Sequence, residues 1–298
     1  MTTEKKQETG VRKRYKKRSQ LKSIWFQFKK NKLAMLGLAI FVFLTLVAVF
    51  ADVIADYDTQ VVRQNVKQRF TWPNSEHVFG TDDYGRDVFA RIVHGARISL
   101  FAGVVSILLS LAVGSVIGAT AGYYGGRVDN ILMRIMDIFL AIPSTLLAIS
   151  IVAALGQGLT NLMIAMSVSQ VPRFARIVRS SILSIKGQEF VEAAKCCGTR
   201  DRRIIMRHIL PNAIGPIIVQ STLNVARMIL TISGLSFVGL GIQPPTPEWG
   251  SMLAAGRSHM RYYPYLVVIP GIAIAITVMS LNLIGDGLRD ALDPKMKN

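Results

Sequence analysis

The 298-residue chain is short of acid, of cysteine and of any motif that carries chemistry. Eighteen Asp and Glu stand against 35 Lys and Arg, a net charge of +17. Charged residues make up 18% of the chain, below the ~25% usual in soluble domains. The only cysteines, Cys196 and Cys197, are neighbours. A disulfide wants Cα atoms about 4.4–6.8 Å apart, and bridging adjacent residues distorts the peptide between them. A disulfide framework is therefore excluded, and two reduced side chains are expected. The four histidines (His77, His94, His208 and His259) are scattered and lack metal-ligand spacing. No Gly-x4-Gly-Lys-Ser/Thr loop occurs, so the chain has no phosphate cradle of the kind ATPases use. No nucleophile–base pair stands out either. No catalytic, cofactor-binding or metal-binding residue is expected, and the chain is not expected to be an enzyme.

What the chain has is apolar length. It is 51% hydrophobic, with a mean hydropathy of +0.38. The run "LAMLGLAIFVFLTLVAVFA", Leu33 to Ala51, carries no charge over nineteen residues. A hydrocarbon core of ~30 Å takes ~20 helical residues. Thirty-two largely polar residues precede this run and no small-residue cleavage site follows, unlike a signal peptide. Further spans are expected at about Leu100–Thr120, from Ile131 to the turn "GQGLTN", and in a short helix ending in Arg173, Arg176 and Arg179. Two more fall at about Ala213–Ser236 and Tyr265–Gly285. The spacing of three places those arginines on a narrow face from which they can snorkel to headgroups. The expected fold class is an all-α integral membrane protein of six transmembrane helices. The expected divisions are a basic cytoplasmic tail (1–23), an interfacial segment with the first span (24–55), an extracytoplasmic loop (56–97), a core of five spans (98–287) and a cytoplasmic C-terminus (288–298).

Lysine and arginine set the orientation. With both termini inside, the inner segments 1–32, 121–130, 174–212 and 286–298 hold 24 basic residues, and the outer segments 52–97, 156–160 and 242–262 hold 8. Basic residues accumulate in short cytoplasmic loops, so both termini are expected in the cytoplasm. This bias accounts for the net charge more simply than nucleic acid does, and no nucleic-acid partner is expected. The basic tail and the stretch Ile24–Phe28 make membrane lipid a plausible partner.

Two ionisable features fall inside expected spans. Arg134 and Asp137 share a helical face and are expected as a structural pair or as interfacial anchors. Arg227 lies near the middle of the fifth span, where a charge is costly. It is expected to face a pore or a partner subunit, or else the span is shifted. Outside the membrane, Asp82, Asp83, Arg86 and Asp87 are read as a helix start with acid at the N-terminus. An interfacial helix is expected to lead from there into the second span. Trp249 is expected to anchor at the outer interface.

One segment is neither span nor short turn. "GQEFVEAAKCCG" reads as a helix ended by Gly198, and "TRDRRIIMRHIL" as a second, interrupted by Pro211 and Asn212 before the fifth span. Glu192, Ala193, Ala194, Gly198, Leu210 and Pro211 stand at the spacing of the EAA loop and so resemble the permease subunits of ABC importers. His208 replaces the Ile common in many such families; the peptide branch often carries His there. "FGTDDYGRDVFARIVHGARISL", "GLSFVGLGIQPPTPEWGSML" and "NLIGDGLRDALDP" resemble, in order, stretches of the dipeptide, oligopeptide and nickel group, and "FKKNKLAMLGLAIF" its C-type subunit. The resemblance covers nearly everything from about residue 20 onward. It implies a type I importer permease fold in which those six residues form a coupling loop seated on a cytoplasmic ATPase. It further implies a bacterial or archaeal cell-membrane location, a second permease subunit, two ATP-binding subunits that hydrolyse ATP, and an extracytoplasmic solute-binding protein. The chain would form half of a pathway for dipeptides or oligopeptides, with nickel complexes or other small solutes as further candidates. An ion-gradient-driven secondary transporter is the alternative.

Overall fold

The computed structural model describes residues 20–292. The basic tail therefore lies almost wholly outside the described residues, as do residues 293–298. The described residues are helical, with no strand among them. In chain order the main helices are α1 (Gln20–Lys30), α2 (Lys32–Val49), α3 (Val88–Tyr124), α4 (Gly126–Ala141), α5 (Ser144–Leu155) and α6 (Leu159–Lys186). They continue with α7 (Glu189–Cys196), α8 (Asp201–Phe237), α9 (Trp249–Arg257) and α10 (Tyr265–Leu292).

Among the described residues, four helices are long and apolar enough to cross a membrane: α2, α3, α8 and α10. The third expected span is corrected. It does not run straight from Ile131 but breaks at Ile142–Pro143, where α4 and α5 meet at 84°. Proline removes an N–H, and its ring disfavours helical backbone in the residue before it. Ile142 is accordingly extended, with ψ at 127°. The pair makes a fifth crossing if it is one broken span. The fourth expected span is also different: α6 does not stop at the arginines but continues through them to Lys186.

Small residues set the helix contacts. Gly114, Gly118 and Gly122 recur every fourth residue along one face of α3, and α6 lies directly on them. A Cβ at Gly114 would sit 2.6 Å from the Phe174 Cβ, and one at Gly118 would collide with the Ala175 carbonyl. Such stripes let helix backbones approach closely where no hydrophobic drive favours one apolar helix over lipid. Across α2 and α10, Gly37 faces Ser280 and Leu283, and Gly287 faces Ala34 and Phe28.

The segment between α2 and α3 folds into a lobe tied to the start of α10. Phe70 stacks on Tyr263 with ring centroids 4.5 Å apart, and Tyr265 donates its hydroxyl to the Thr81 carbonyl at 2.7 Å. The α3 N-terminus is not an interfacial helix. Asp87 caps it by accepting from Ala90 N at 2.9 Å, and Arg91 and His94 in its first turns are buried under the lobe. Trp249 is likewise no interfacial anchor: it is 1% exposed, and its indole N–H donates to the Ile92 carbonyl at 3.1 Å.

Candidate functional site

The segment Glu189–Pro211 begins where α6 ends at Gly187. α7 has Glu189 and Glu192 in its first turn and Lys195 in its last, charges that suit the helix dipole. It ends at Cys197, and Gly198 follows with φ +72°. A Cβ on Gly198 would meet nothing within 4 Å. Glycine is therefore needed here for backbone conformation and not for space.

One face of the segment is anchored. Val191, Ile204 and Ile209 are fully buried against Val178, Ile182 and Ile185 of α6 and Ala119 and Tyr123 of α3. Tyr123 donates to Asp201 Oδ1 at 2.7 Å, pinning the end of α3 to the start of α8. The opposite face is open. Glu189, Phe190, Glu192, Ala193, Lys195, Cys196 and Cys197 are all exposed. The two expected alanines therefore divide: Ala193 points outward, while Ala194 packs against the anchored cluster. The cysteines are free, as expected, but they lie on the surface and fill no space.

Leu210 and Pro211 do not break the chain before the fifth span. α8 is continuous from Asp201 because residues Ile204–Ile209 widen into a π turn. Leu210 N donates to the Ile205 carbonyl, five residues back. The wider turn accommodates the proline, which can neither donate nor tolerate a close carbonyl four residues earlier. Asn212 Nδ2 donates to the His208 carbonyl at 2.6 Å. Glu192, Ala193 and Gly198 thus lie on one exposed surface, and Leu210 and Pro211 join that surface to the span.

The chain matches the family described as "Binding-protein-dependent transport system inner membrane component" over residues 114–298. It belongs to that family. Residues 19–73 match the "N-terminal TM domain of oligopeptide transport permease C". A dipeptide transport system permease protein, DppC, of Alkalihalophilus pseudofirmus is 49% identical over 91% of this chain and 89% of its own length. A glutathione transport system permease protein, GsiD, of Escherichia coli is 44% identical over 92% and 90%. In fold, the chain resembles the inward-facing MetNI methionine ABC transporter with a TM-score of 0.56 at 19% identity, covering 68% of this chain and 96% of that one. The protein is a membrane-spanning permease of an ABC importer, which disfavours the secondary-transporter alternative.

The remaining predicted groups of this permease sit as follows. Arg227 is exposed on α8, and among the described residues its guanidinium makes no ion pair. Two turns of that helix carry buried Asn224 and Met228 beside it. Arg134 and Asp137 do not pair with each other. Asp137 accepts from Arg176 at 2.6 Å, and Asp129 is held by both Nε and Nη2 of Arg179 at 2.5 and 2.6 Å. Arg176 and Arg179 tie α6 to α4. In the lobe between α2 and α3, Arg86 Nε donates to Asp82 Oδ2 at 2.7 Å. Burial and then the neighbouring Asp82 push the Asp83 carboxyl up from the usual range. The hydrogen bond from Arg97 holds Asp52 down.

Sequence reasoning missed Glu248. It is wholly buried and caps α9, accepting from Gly250 N at 2.9 Å and Ser251 N at 2.8 Å. Ser99 of α3 and Ser233 of α8 also approach its carboxyl. An acidic residue just before a helix start is the available signal, and the prolines around it draw attention to the turn instead.

Proposed function

We propose that this permease forms half of the translocation pathway of an ATP-driven importer of dipeptides or oligopeptides. The other half is a second permease subunit, two cytoplasmic ATP-binding subunits hydrolyse ATP, and an extracytoplasmic solute-binding protein delivers the solute. Both termini lie in the cytoplasm, and α6 completes six crossings. The exposed face of Glu189–Gly198 is the seat of an ATP-binding subunit. Arg227 faces the pathway or the second permease. The single observation behind the docking assignment is the division of this segment into a buried face on α3 and α6 and an open face bearing Phe190, Glu192 and Ala193. The names of the relatives support the peptide class: dipeptide for one and glutathione, itself a tripeptide, for another.

The test is purification of the chain from its native membrane in mild detergent with identification of every retained protein. An ATP-binding subunit that is recovered with the native chain and lost with Ala193→Glu supports the docking face. Its retention at native stoichiometry, with unchanged uptake of labelled dipeptide, overturns the assignment.

A further inference from the structure

An apolar groove of about 310 Å³ opens between the C-terminal half of α1, the N-terminal part of α2 and the C-terminal end of α10, lined by Ile24, Trp25, Phe28, Leu38, Ile284 and Leu288. Beside it, α2 and α10 cross closely. Gly37 admits Ser280 and Leu283, and Gly287 admits Ala34. α1 then lies across both helix ends, burying Phe28 while leaving Trp25 and Phe26 about half exposed. Beside the groove, α1 ends in Lys29 and Lys30 and α2 begins at Lys32. All three are exposed, and among the described residues none makes an ion pair. Asp290 of α10 accepts from Asn31 Nδ2 at 3.3 Å.

We propose that this groove binds an anionic glycerophospholipid, its acyl chain against Leu38, Ile284 and Leu288 and its headgroup on Lys29, Lys30 and Lys32. The depths agree. Leu38 lies six residues beyond Lys32, ~9 Å along a helix at 1.5 Å per residue, and interfacial helices bury their apolar faces ~5–10 Å below the headgroups. Charge separates this groove from a second one beside α2 and α3, of about 430 Å³, whose rim carries Arg97. That guanidinium is already taken up by the Ala48 and Val49 carbonyls and Asp52, so no free cation remains there for a headgroup. The site is independent of the transported solute and of the ATP-binding partner.

The experiment is native mass spectrometry of the full-length chain released from nanodiscs containing equal phosphatidylglycerol and phosphatidylcholine with identical acyl chains. Each lysine near a membrane surface contributes enough attraction that three should favour the anionic lipid about tenfold or more. The K29Q/K30Q/K32Q variant should lose that preference, and K29R/K30R/K32R should keep it. Leu38→Trp or Leu288→Trp, each checked for monodisperse elution, should fill the groove and release the lipid with the lysines intact. No headgroup preference in the native chain, or full preference in the glutamine variant, overturns the proposal. Lipid retained by both tryptophan variants, or displaced equally well by soluble glycerol 3-phosphate, overturns the acyl-chain site and leaves only surface charge.

Discussion

Glu248 shows how much one buried side chain can organise. Its two carboxyl oxygens satisfy two orphan N–H groups at the start of α9 and lie within reach of hydroxyls on α3 and α8. Gly250 next to it presses on the Ser233 backbone so closely that a Cβ would not fit. Removing an acceptor from buried donors costs ~1–3 kcal/mol for each group left unsatisfied, and losing a helix N-cap costs ~1 kcal/mol. Glu248→Ala should therefore lower the thermal midpoint of the purified chain by several degrees and leave α9 open to proteolysis. Glu248→Asp keeps the carboxyl but shortens its reach and should fall between. A midpoint unchanged in Glu248→Ala, read by the unfolding of the detergent-solubilised chain, would show that water replaces the carboxyl at no cost.

At the scale of elements, α6 holds the membrane part together through charge as well as packing. Its glycine-matched face rests on α3, and its arginines reach across to α4. The Asp129 side chain is 14% exposed and that of Arg179 33%, so the pair is partly dry and should couple more strongly than surface pairs do. In a double-mutant cycle, Asp129→Leu and Arg179→Leu should each destabilise, and the double variant should recover ~1–3 kcal/mol of their sum. Unfolding in denaturant reads this directly, and strict additivity would deny the tie. The same elements mark where the sequence could be read. Uncharged length made α2, α3 and α10 legible, because burial in hydrocarbon demands it. α6 was misread because its arginines looked like an end. Only the position of Asp129 and Asp137 on a neighbouring helix shows that they are internal, and sequence spacing does not carry that. The break at Pro143 and the continuity through Pro211 are opposite outcomes for the same residue type. The turn Ile204–Ile209 widens before Pro211, while Pro172, Pro216 and Pro270 lie inside continuous helices, so the residue type alone does not mark a break.

Across the whole molecule, α3 and α8 are the longest continuous elements among the described residues, each 37 residues or ~55 Å at helical rise. α3 starts at the Asp87 cap beneath the lobe between α2 and α3, and Tyr123 in its last turn meets Asp201 at the head of α8 through its hydroxyl. Spacing that resembles the EAA loop singled out Glu192, Ala193 and Gly198, and all three are exposed. The attachment of this segment was not legible, because Tyr123 lies 78 residues from Asp201 and joins no local motif. Under the proposed function, a push on the exposed face of α7 reaches the lobe between α2 and α3 through this joint and the apolar cluster around Val191, Ile204 and Ile209. Packing alone should still seat the ATP-binding subunit when the hydrogen bond is gone. Tyr123→Phe should therefore leave the complex assembled while lowering dipeptide uptake per ATP hydrolysed, by about tenfold to a hundredfold if the bond to Asp201 contributes the ~1.5–3 kcal/mol of a charge-assisted pair to coupling. Ala193→Glu, by contrast, should lower uptake through loss of the subunit itself. Uptake and ATP hydrolysis measured together in proteoliposomes separate the two. An unchanged ratio in Tyr123→Phe would place transmission in the packed cluster rather than in the hydroxyl.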